Sequence, residues 1–333
     1  MSAAHPRLLE TVEAFRNRTV VVVGDLIADE YLFGKPSRIS REAPVLILRY
    51  TEREVLLGGA ANATHNVHAL GARVVPVGVV GRDAPGDELL GLFHGAGIAT
   101  DGIVTENGRM TPVKTRIMAG GYQATRQQVV RLDREPAGEL QTITEDALVG
   151  RLSALAERAE AIVVSDYGYG TVTPRLFERI RAIARRTGAV VSVDSRYQLP
   201  RFTGVTAATP NEAELEQLAG TAVDDERGVE KAGRVLLDRL DARLLLVTRG
   251  SRGMALLERD GGCSFIPIHG TDEIADVTGA GDTVISTFTV ALAGGAAPLD
   301  AAALANMAGG IVVMKRGTGT VSPGELVQAL EGP

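Results

Sequence analysis

Tryptophan is absent, cysteine occurs once, and aromatic residues make up only 4% of the 333-residue chain. So few aromatics leave few stacking platforms for single-stranded nucleic acid. Charge points the same way: 35 Lys and Arg against 41 Asp and Glu give a net charge of −6, without the basic footprint of a nucleic-acid reader. One cysteine, Cys263, can form neither an internal disulfide nor a cysteine zinc cluster, which fits a reducing compartment. Apolar runs are short and broken by charge, so no transmembrane helix is expected. Met1 to Arg18 is polar and lacks the apolar stretch of a signal peptide. The expectation is a cytoplasmic protein with neither nucleic acid nor membrane as partner. Two nucleotide signatures are also missing. There is no G-x-x-x-x-G-K-[ST] loop, and Gly24 is followed by Asp25-Leu26-Ile27-Ala28-Asp29 instead of completing G-x-G-x-x-G. The second absence weighs against a dinucleotide dehydrogenase.

What is present is an α/β pattern. Hydrophobic residues make up 45% of the chain, enough for a sizeable core. Val20–Val23 is a continuous β-branched run ending in Gly24-Asp25, the pattern of a strand buried on both faces. Similar strands are expected at Val74–Val80, Ala161–Ser165, Ala189–Asp194 and Leu244–Thr248. Helical patterns lie between and around them, at Ala60–Leu70, Asp87–His94, Glu145–Arg158, Thr173–Thr187, Asn211–Ala219 and Glu230–Leu240. Strands alternating with helices predict a central, mostly parallel sheet flanked by helices. Length alone allows two domains at roughly 150 residues each. No linker, repeat or low-complexity tract divides the chain, so one domain over 1–333 is expected. Two segments break the rhythm, 31–56 and 111–133. The first alternates through Val45–Tyr50; the second has strand-like runs at Val113–Met118 and Gln127–Leu132, split by Gly120-Gly121. Both read as antiparallel ribbons: a lid, a dimer surface, or decoration of a sheet edge.

The chemistry concentrates in Asp276-Val277-Thr278-Gly279-Ala280-Gly281-Asp282-Thr283, ahead of the apolar helical stretch Val284–Leu292. Glycines before a helix free successive N–H groups, and the helix start adds partial positive charge. Gly279, Ala280 and Gly281 thus make a candidate anion hole for phosphoryl oxygens. Asp282 is a plain N-cap or a base that takes an alcohol proton beside that hole.

With Leu57-Gly58-Gly59-Ala60-Ala61-Asn62 and Gly78-Val79-Val80-Gly81-Arg82-Asp83, this segment resembles the two signatures of the ribokinase-like (PfkB) carbohydrate kinases, in the right order and over nearly the whole chain. The resemblance implies a ribokinase-like α/β fold with a small β lid and an ATP-dependent transfer to a sugar hydroxyl, with Asp282 as base. It makes Asp29, Gly58, Gly59 and Asn62 sugar-binding residues. A carboxylate is a strong acceptor for vicinal hydroxyls, glycines allow close approach, and an amide offers donor and acceptor. Gly58-Gly59 also reads as a strand-to-helix turn. Asn211 and Glu214 resemble the family's N-x-x-E motif, which organises magnesium largely through water; they also read as a helix cap. Thr248, Gly250 and Gly253 resemble its nucleotide loop, or an ordinary hairpin turn, and Asn306 falls where relatives line the adenine pocket. The implied cofactor is Mg2+ with ATP, with a monovalent cation left open. A homodimer through the β lid is the implied assembly.

One branch is closer. Ser37–Val45, Arg126–Asp133, Ser165-Asp166-Tyr167-Gly168 and Ala305–Thr318 are similar to the kinase that phosphorylates D-glycero-D-manno-heptose 7-phosphate to the 1,7-bisphosphate in ADP-heptose synthesis. Some relatives carry a nucleotidyltransferase behind the kinase; the chain ends at Pro333, so that activity is expected to be absent. Two positions depart: Tyr169 replaces the branch's lysine, and Asp194-Ser195-Arg196 replaces Asp-Pro-Lys. Arg196 keeps a cation for an anionic substrate or the transferred phosphate. Arg38, Arg41, Arg126 and Arg131 are phosphate contacts or solvated strand faces. Another sugar, a sugar phosphate or a nucleoside remains an alternative acceptor, and a non-catalytic binding protein is the alternative from a different class. His65 and His68 lack a third partner for a metal, and Cys263 reads as a strand residue.

Overall fold

The computed structural model describes residues 4–120, 127–270, 276–315 and 317–332. Its strands, in chain order, are β1 (Thr19–Gly24), β2 (Leu26–Ile39), β3 (Leu46–Gly59), β4 (Arg73–Gly81), β5 (Ile103–Glu106), β6 (Val113–Ala119), β7 (Gln127–Arg134), β8 (Ala161–Asp166), β9 (Val190–Ser195), β10 (Ala207–Ala208), β11 (Leu244–Thr248), β12 (Met254–Glu258) and β13 (Cys263–Ile266). The helices are α1 (Ala4–Ala14), α2 (Ala60–Ala69), α3 (Ala84–Gly95), α4 (Thr142–Leu155), α5 (Pro174–Thr187), α6 (Glu212–Ala219), α7 (Glu226–Leu240), α8 (Ala280–Ala293), α9 (Pro298–Val312) and α10 (Pro323–Glu331).

Nine strands form one sheet in the order β13-β12-β11-β10-β9-β8-β1-β4-β5. From β11 to β5 the neighbours run parallel; β12 and β13 add antiparallel edges. The valine run explains why β1 lies well inside the sheet. Val20 and Val22 enter one apolar cluster with α2, α8 and α9, while Val21 and Val23 enter the other with α4, α5 and α7. Each buried valine contributes roughly 1.5–3 kcal/mol, so a strand apolar on both faces is stable only with helices on both sides.

Side-chain caps set two helix starts ahead of the expected boundaries, and a third helix starts early without one. Asp83 accepts the Gly86 amide at 3.0 Å, so α3 starts at Ala84 rather than at 87. Asp225 accepts the Gly228 amide at 2.7 Å and starts α7 four residues ahead of 230. The pattern at 145–158 becomes α4 from Thr142, with its last three residues in a tighter turn, Ala156–Arg158. Cys263 is the first residue of β13.

A second sheet, ordered β3-β2-β6-β7, takes in both ribbon segments. β2 pairs antiparallel with β3 and parallel with β6. The first ribbon is longer than expected: it starts at Leu26, directly after β1, and returns to Gly59 at the start of α2. Pro36 is tolerated inside β2 because it sits at a register shift between Pro36 and Arg38. Of the expected Gly120-Gly121 split, Gly121 lies outside the described residues. Near β1 the small sheet is buried, through Tyr31, Leu57 and Val113. Farther out it exposes Ile39, Leu46 and Tyr50, and its edge strand β7 exposes Val129, Val130 and Leu132. Among the described residues, no helix is long and apolar enough to cross a membrane.

Candidate active site

A cavity of about 580 Å³ opens where the C-terminal ends of the central strands meet the small sheet. Its wall combines Asp29 from β2, Lys114 and Arg116 from β6, Asp194 from β9 and the start of α8. Thr248, Gly250 and Gly281 also line a neighbouring pocket of about 210 Å³, whose wall is mainly apolar: Met254, Ile268, Val277, Val284 and Val313.

Gly279 is the N-cap residue of α8, at φ +79°, and contributes no side-chain cap. Asp282 is the third helical residue and caps nothing, so the plain-cap reading does not hold. Its carboxylate is buried at 3% exposure. It accepts Asn62 Nδ2 at 2.8 Å on Oδ2 and the Tyr167 hydroxyl at 3.3 Å on Oδ1. Burial pushes its pKa up to about 7, against the pull of Asn62, Lys114 and Tyr167. The anion hole needs one correction. The Ala280 amide donates to Val277 O at 3.2 Å inside a turn, so it is committed. The Gly279 and Gly281 amides have no backbone acceptor among the described residues, and both residues line the cavity.

Asp29 faces the same cavity, and Arg116 donates to its Oδ1 at 2.6 Å. Gly58 is required by that carboxylate: a Cβ there would lie 2.7 Å from Asp29 Cγ. Gly59, at φ +56°, makes the strand-to-helix turn and caps α2, so the turn reading and the cavity-lining reading both describe it. Asn62 is 0% exposed, its amide nitrogen faces Asp282, and its oxygen accepts Asn66 Nδ2 at 3.1 Å, so both polar groups already have a protein partner.

Sequence reasoning missed Lys114, Arg116 and Tyr167. The signal was available: in Val113-Lys114-Thr115-Arg116-Ile117, period two puts Lys114 and Arg116 on one face. Thr115, on the other face, bonds Glu30 at 2.5 Å. Lys114 is 9% exposed, and its ammonium lies 4.2 Å from the Tyr167 ring centroid. Burial lowers its pKa, while Asp29 and Asp282 oppose that shift. Arg196 and Arg131 join the same wall; Arg131 also pairs with Asp133 at 2.9 Å. Arg38 and Arg41 are exposed at the far end of the first ribbon and do not line the cavity; Arg126 lies outside the described residues. Tyr169 turns away, its hydroxyl 3.3 Å from Glu135 Oε1.

Asn211 and Glu214 form the capping box of α6: Asn211 Oδ1 accepts the Glu214 amide at 2.9 Å, and Glu214 Oε2 accepts the Asn211 amide at 3.0 Å. Both also line the cavity. One carboxylate and one amide suit a magnesium ion that keeps most of its water. Burial raises the Glu214 pKa. Among the described residues no cluster of three or more His, Cys, Asp or Glu is arranged to hold a metal, His65 and His68 included.

Thr248 ends β11, and Gly250 and Gly253 turn it into β12. Gly253 has φ +79°, and a Cβ there would lie 2.0 Å from Ile266 O, so this hairpin accepts only glycine. Glu212 ties the turn to α6 through Arg249 at 2.8 Å and Arg252 at 2.5 Å. Asn306 lines the smaller pocket; its Nδ2 is committed to Pro267 O at 2.7 Å, leaving the amide oxygen.

Residues 17–324 match the model of the pfkB family carbohydrate kinases. The chain is 43% identical over 311 residues to the bifunctional protein HldE of Geobacter sulfurreducens, covering 93% of this chain and 62% of that protein. It is also 43% identical over 314 residues to HldE of Methylococcus capsulatus, covering 94% and 64%. It thus spans under two thirds of these curated relatives. Among solved structures, Arabidopsis thaliana ribokinase complexed with ribose and ATP is similar at TM-score 0.74 and 18% identity, covering 95% of this chain and 99% of that one. Escherichia coli phosphofructokinase-2 in complex with substrates and products is similar at TM-score 0.76 and 18% identity, covering 94% and 98%. The fold is therefore ribokinase-like, and the chain belongs to the pfkB family of carbohydrate kinases.

Proposed function

We propose that this chain is an ATP-dependent kinase that phosphorylates D-glycero-D-manno-heptose 7-phosphate at O1, giving the 1,7-bisphosphate. The observation that carries the reading is the pairing of Asp282, buried beside the Gly279 and Gly281 amides at the start of α8, with a cavity wall of Lys114, Arg116, Arg131 and Arg196. The first part suits transfer to an alcohol. The second suits an acceptor that already bears a phosphate. The likeness to the HldE proteins supports the heptose.

In this mechanism Asp282 takes the proton of the O1 hydroxyl. O1 then attacks the γ-phosphorus in line, the bond from that phosphorus to the β-bridging oxygen breaks, and ADP leaves. The Gly279 and Gly281 amides hold the charge that develops on the transferred group. Asp29, flanked by Gly58 and Gly59, accepts sugar hydroxyls, and Arg196 meets the transferred phosphoryl. Thr248, Gly250, Gly253 and Asn306 hold the nucleotide. Asn211 and Glu214 would hold magnesium, which would supply neutralisation of phosphate charge there. The domain is one unit over 1–333, with segments 31–56 and 111–133 as lid and clasp. The exposed apolar end of the small sheet is the surface by which two copies dimerise.

The test is ADP release with Mg-ATP over heptose 7-phosphate, free heptose, ribose and fructose, each with wild type and Asp282→Asn. Preference for heptose 7-phosphate, and a loss of kcat of orders of magnitude in the variant, are the expected results. A preferred neutral sugar removes the heptose phosphate assignment. Near-full kcat in the variant removes Asp282 as base.

A further inference from the structure

What Asn62 touches is more specific than packing. Four polar side chains form a buried line between α8 and α2. Thr283 Oγ1 lies 2.8 Å from Asn66 Oδ1, its nearer acceptor, and 3.3 Å from Gly279 O. Asn66 Nδ2 donates to Asn62 Oδ1 at 3.1 Å and to Asn62 O at 3.0 Å. Asn62 Nδ2 then donates to Asp282 Oδ2 at 2.8 Å. Exposure is 1% at Thr283, 1% at Asn66, 0% at Asn62 and 3% at Asp282, so water cannot stand in for a missing link.

The line has a direction. A hydroxyl donor on Asn66 Oδ1 turns the Asn66 nitrogen toward Asn62. That nitrogen occupies Asn62 Oδ1 and turns the Asn62 nitrogen toward Asp282. Gly279 belongs to the same device, because a Cβ there would lie 2.5 Å from Asn62 Nδ2. The glycine therefore has a task besides its left-handed turn: it lets the amide reach the carboxylate.

We propose that Asn62, oriented by Asn66 and Thr283, is a positioning residue that holds Asp282 Oδ2 as a standing hydrogen-bond acceptor and leaves Oδ1 to take the proton of the sugar hydroxyl. The proposal rests on the reading of Asp282 as the base. Among the described residues Oδ1 accepts the Tyr167 hydroxyl, at 3.3 Å, a contact loose enough to yield to a substrate oxygen. The other charged and titratable groups around Asp282 are Asp29 from β2, Lys114 from β6, Tyr167 after β8 and Asp194 from β9. Burial and the carboxylates Asp29 and Asp194 favour the protonated form; Lys114 and the Asn62 donor favour the ionised one.

The test uses Asn62→Leu, nearly the same shape without either polar group, with Thr283→Val and Thr283→Ser as the milder pair. Two quantities are measured on the full chain. One is the pH midpoint of the Asp282 carboxyl by carbon-13 NMR without acceptor, its signal identified by loss in Asp282→Asn. The other is the pH profile of kcat with Mg-ATP and heptose 7-phosphate. In Asn62→Leu the midpoint is expected to rise by about one pH unit or more, as for loss of a hydrogen bond to a charged group. The acid limb of kcat moves with it, and KM for the acceptor stays within about twofold. Thr283→Val moves the midpoint the same way by less, and Thr283→Ser restores it. A raised acceptor KM with unchanged kcat in Asn62→Leu would make Asn62 a sugar contact and overturn the proposal. So would an unmoved midpoint in the folded variants. If Asn62→Leu does not fold, the Thr283 pair decides by the same midpoint. Full turnover in Asp282→Asn would instead overturn the base assignment and, with it, the role given to Oδ1.

Discussion

A carboxylate works as a base near neutral pH only if its surroundings lift its pKa toward that pH while leaving it ionisable. At Asp282 burial does the lifting, to about 7, and Asn62, Lys114 and Tyr167 limit it. The sign for activity follows. Below that pH the free enzyme holds Asp282 protonated and unable to accept. The kcat/KM for the acceptor therefore rises with pH, about tenfold per unit on the acid side, and levels above the midpoint. A profile flat from pH 5 to 8 would exclude Asp282 as the titrating base. Lys114 makes a separate prediction. A buried ammonium that contacts an acceptor phosphate is worth about 1.5–3 kcal/mol. Lys114→Met should then cut kcat/KM for heptose 7-phosphate by about 10- to 100-fold and leave the weaker rate with free heptose less affected. Equal losses for both sugars would place Lys114 at the transferred phosphoryl instead. Steady-state kinetics on the pair decides.

At the scale of elements, the small sheet has two unlike ends. The inner end closes over Asp29 and Lys114. The outer end exposes Leu46 at 45% and Tyr50 at 69%, and the edge strand β7 exposes Val130 at 52% and Leu132 at 58% along its length. An antiparallel sheet with that much apolar surface on open strands invites pairing. Tyr50→Glu with Leu132→Lys should lower the mass in solution from dimer to monomer, read by light scattering, without changing helix and strand content. A wild-type chain that runs as a monomer at micromolar concentration removes the clasp reading. The sequence showed these ribbons because an alternating pattern and misplaced prolines stand out against βαβ rhythm. It did not show that the first ribbon starts at Leu26, because Leu26-Ile27-Ala28 is apolar throughout and carries no period. β10 escaped because it is two residues long, held between β9 and β11. Glycines were legible as glycines, but their reasons were not. Gly58 makes room for the Asp29 carboxyl and Gly279 for the Asn62 amide, and both neighbours are distant in sequence. The Asn62–Asp282 contact was hidden for the same reason: the partner lies 220 residues away, and only the fold says which way an amide points.

At the scale of the whole molecule, an ionisable group held neutral by burial costs stability once pH forces it to ionise. An aspartate has a pKa of about 3.9 in the unfolded chain; Asp282 stands at about 7 when folded. Between these values the folded state keeps a proton that the unfolded state has released. Unfolding then releases protons, so stability falls as pH rises through this window, and the loss is complete above the folded value. Asp194 and Asp166, raised chiefly by burial, act in the same sense. Asp282→Asn removes the part of this cost that Asp282 carries. The variant should therefore melt higher than wild type at pH 8, by an amount on the order of a few kcal/mol, and close to wild type at pH 5. Asp25 supplies the contrast. It is as buried, yet it accepts the backbone amides of Tyr167, Tyr169 and Thr171 at 2.8, 3.1 and 3.1 Å. Asp25→Asn sets a donor against those donors and should lower the melting temperature at pH 5 and at pH 8 alike, by about 1–3 kcal/mol. Calorimetric scans of both variants at the two pH values separate a carboxylate kept for chemistry from one kept for structure. If Asp282→Asn also melts lower at both, the Asn62 and Tyr167 contacts outweigh burial, and Asp282 is part of the scaffold before it is part of the reaction.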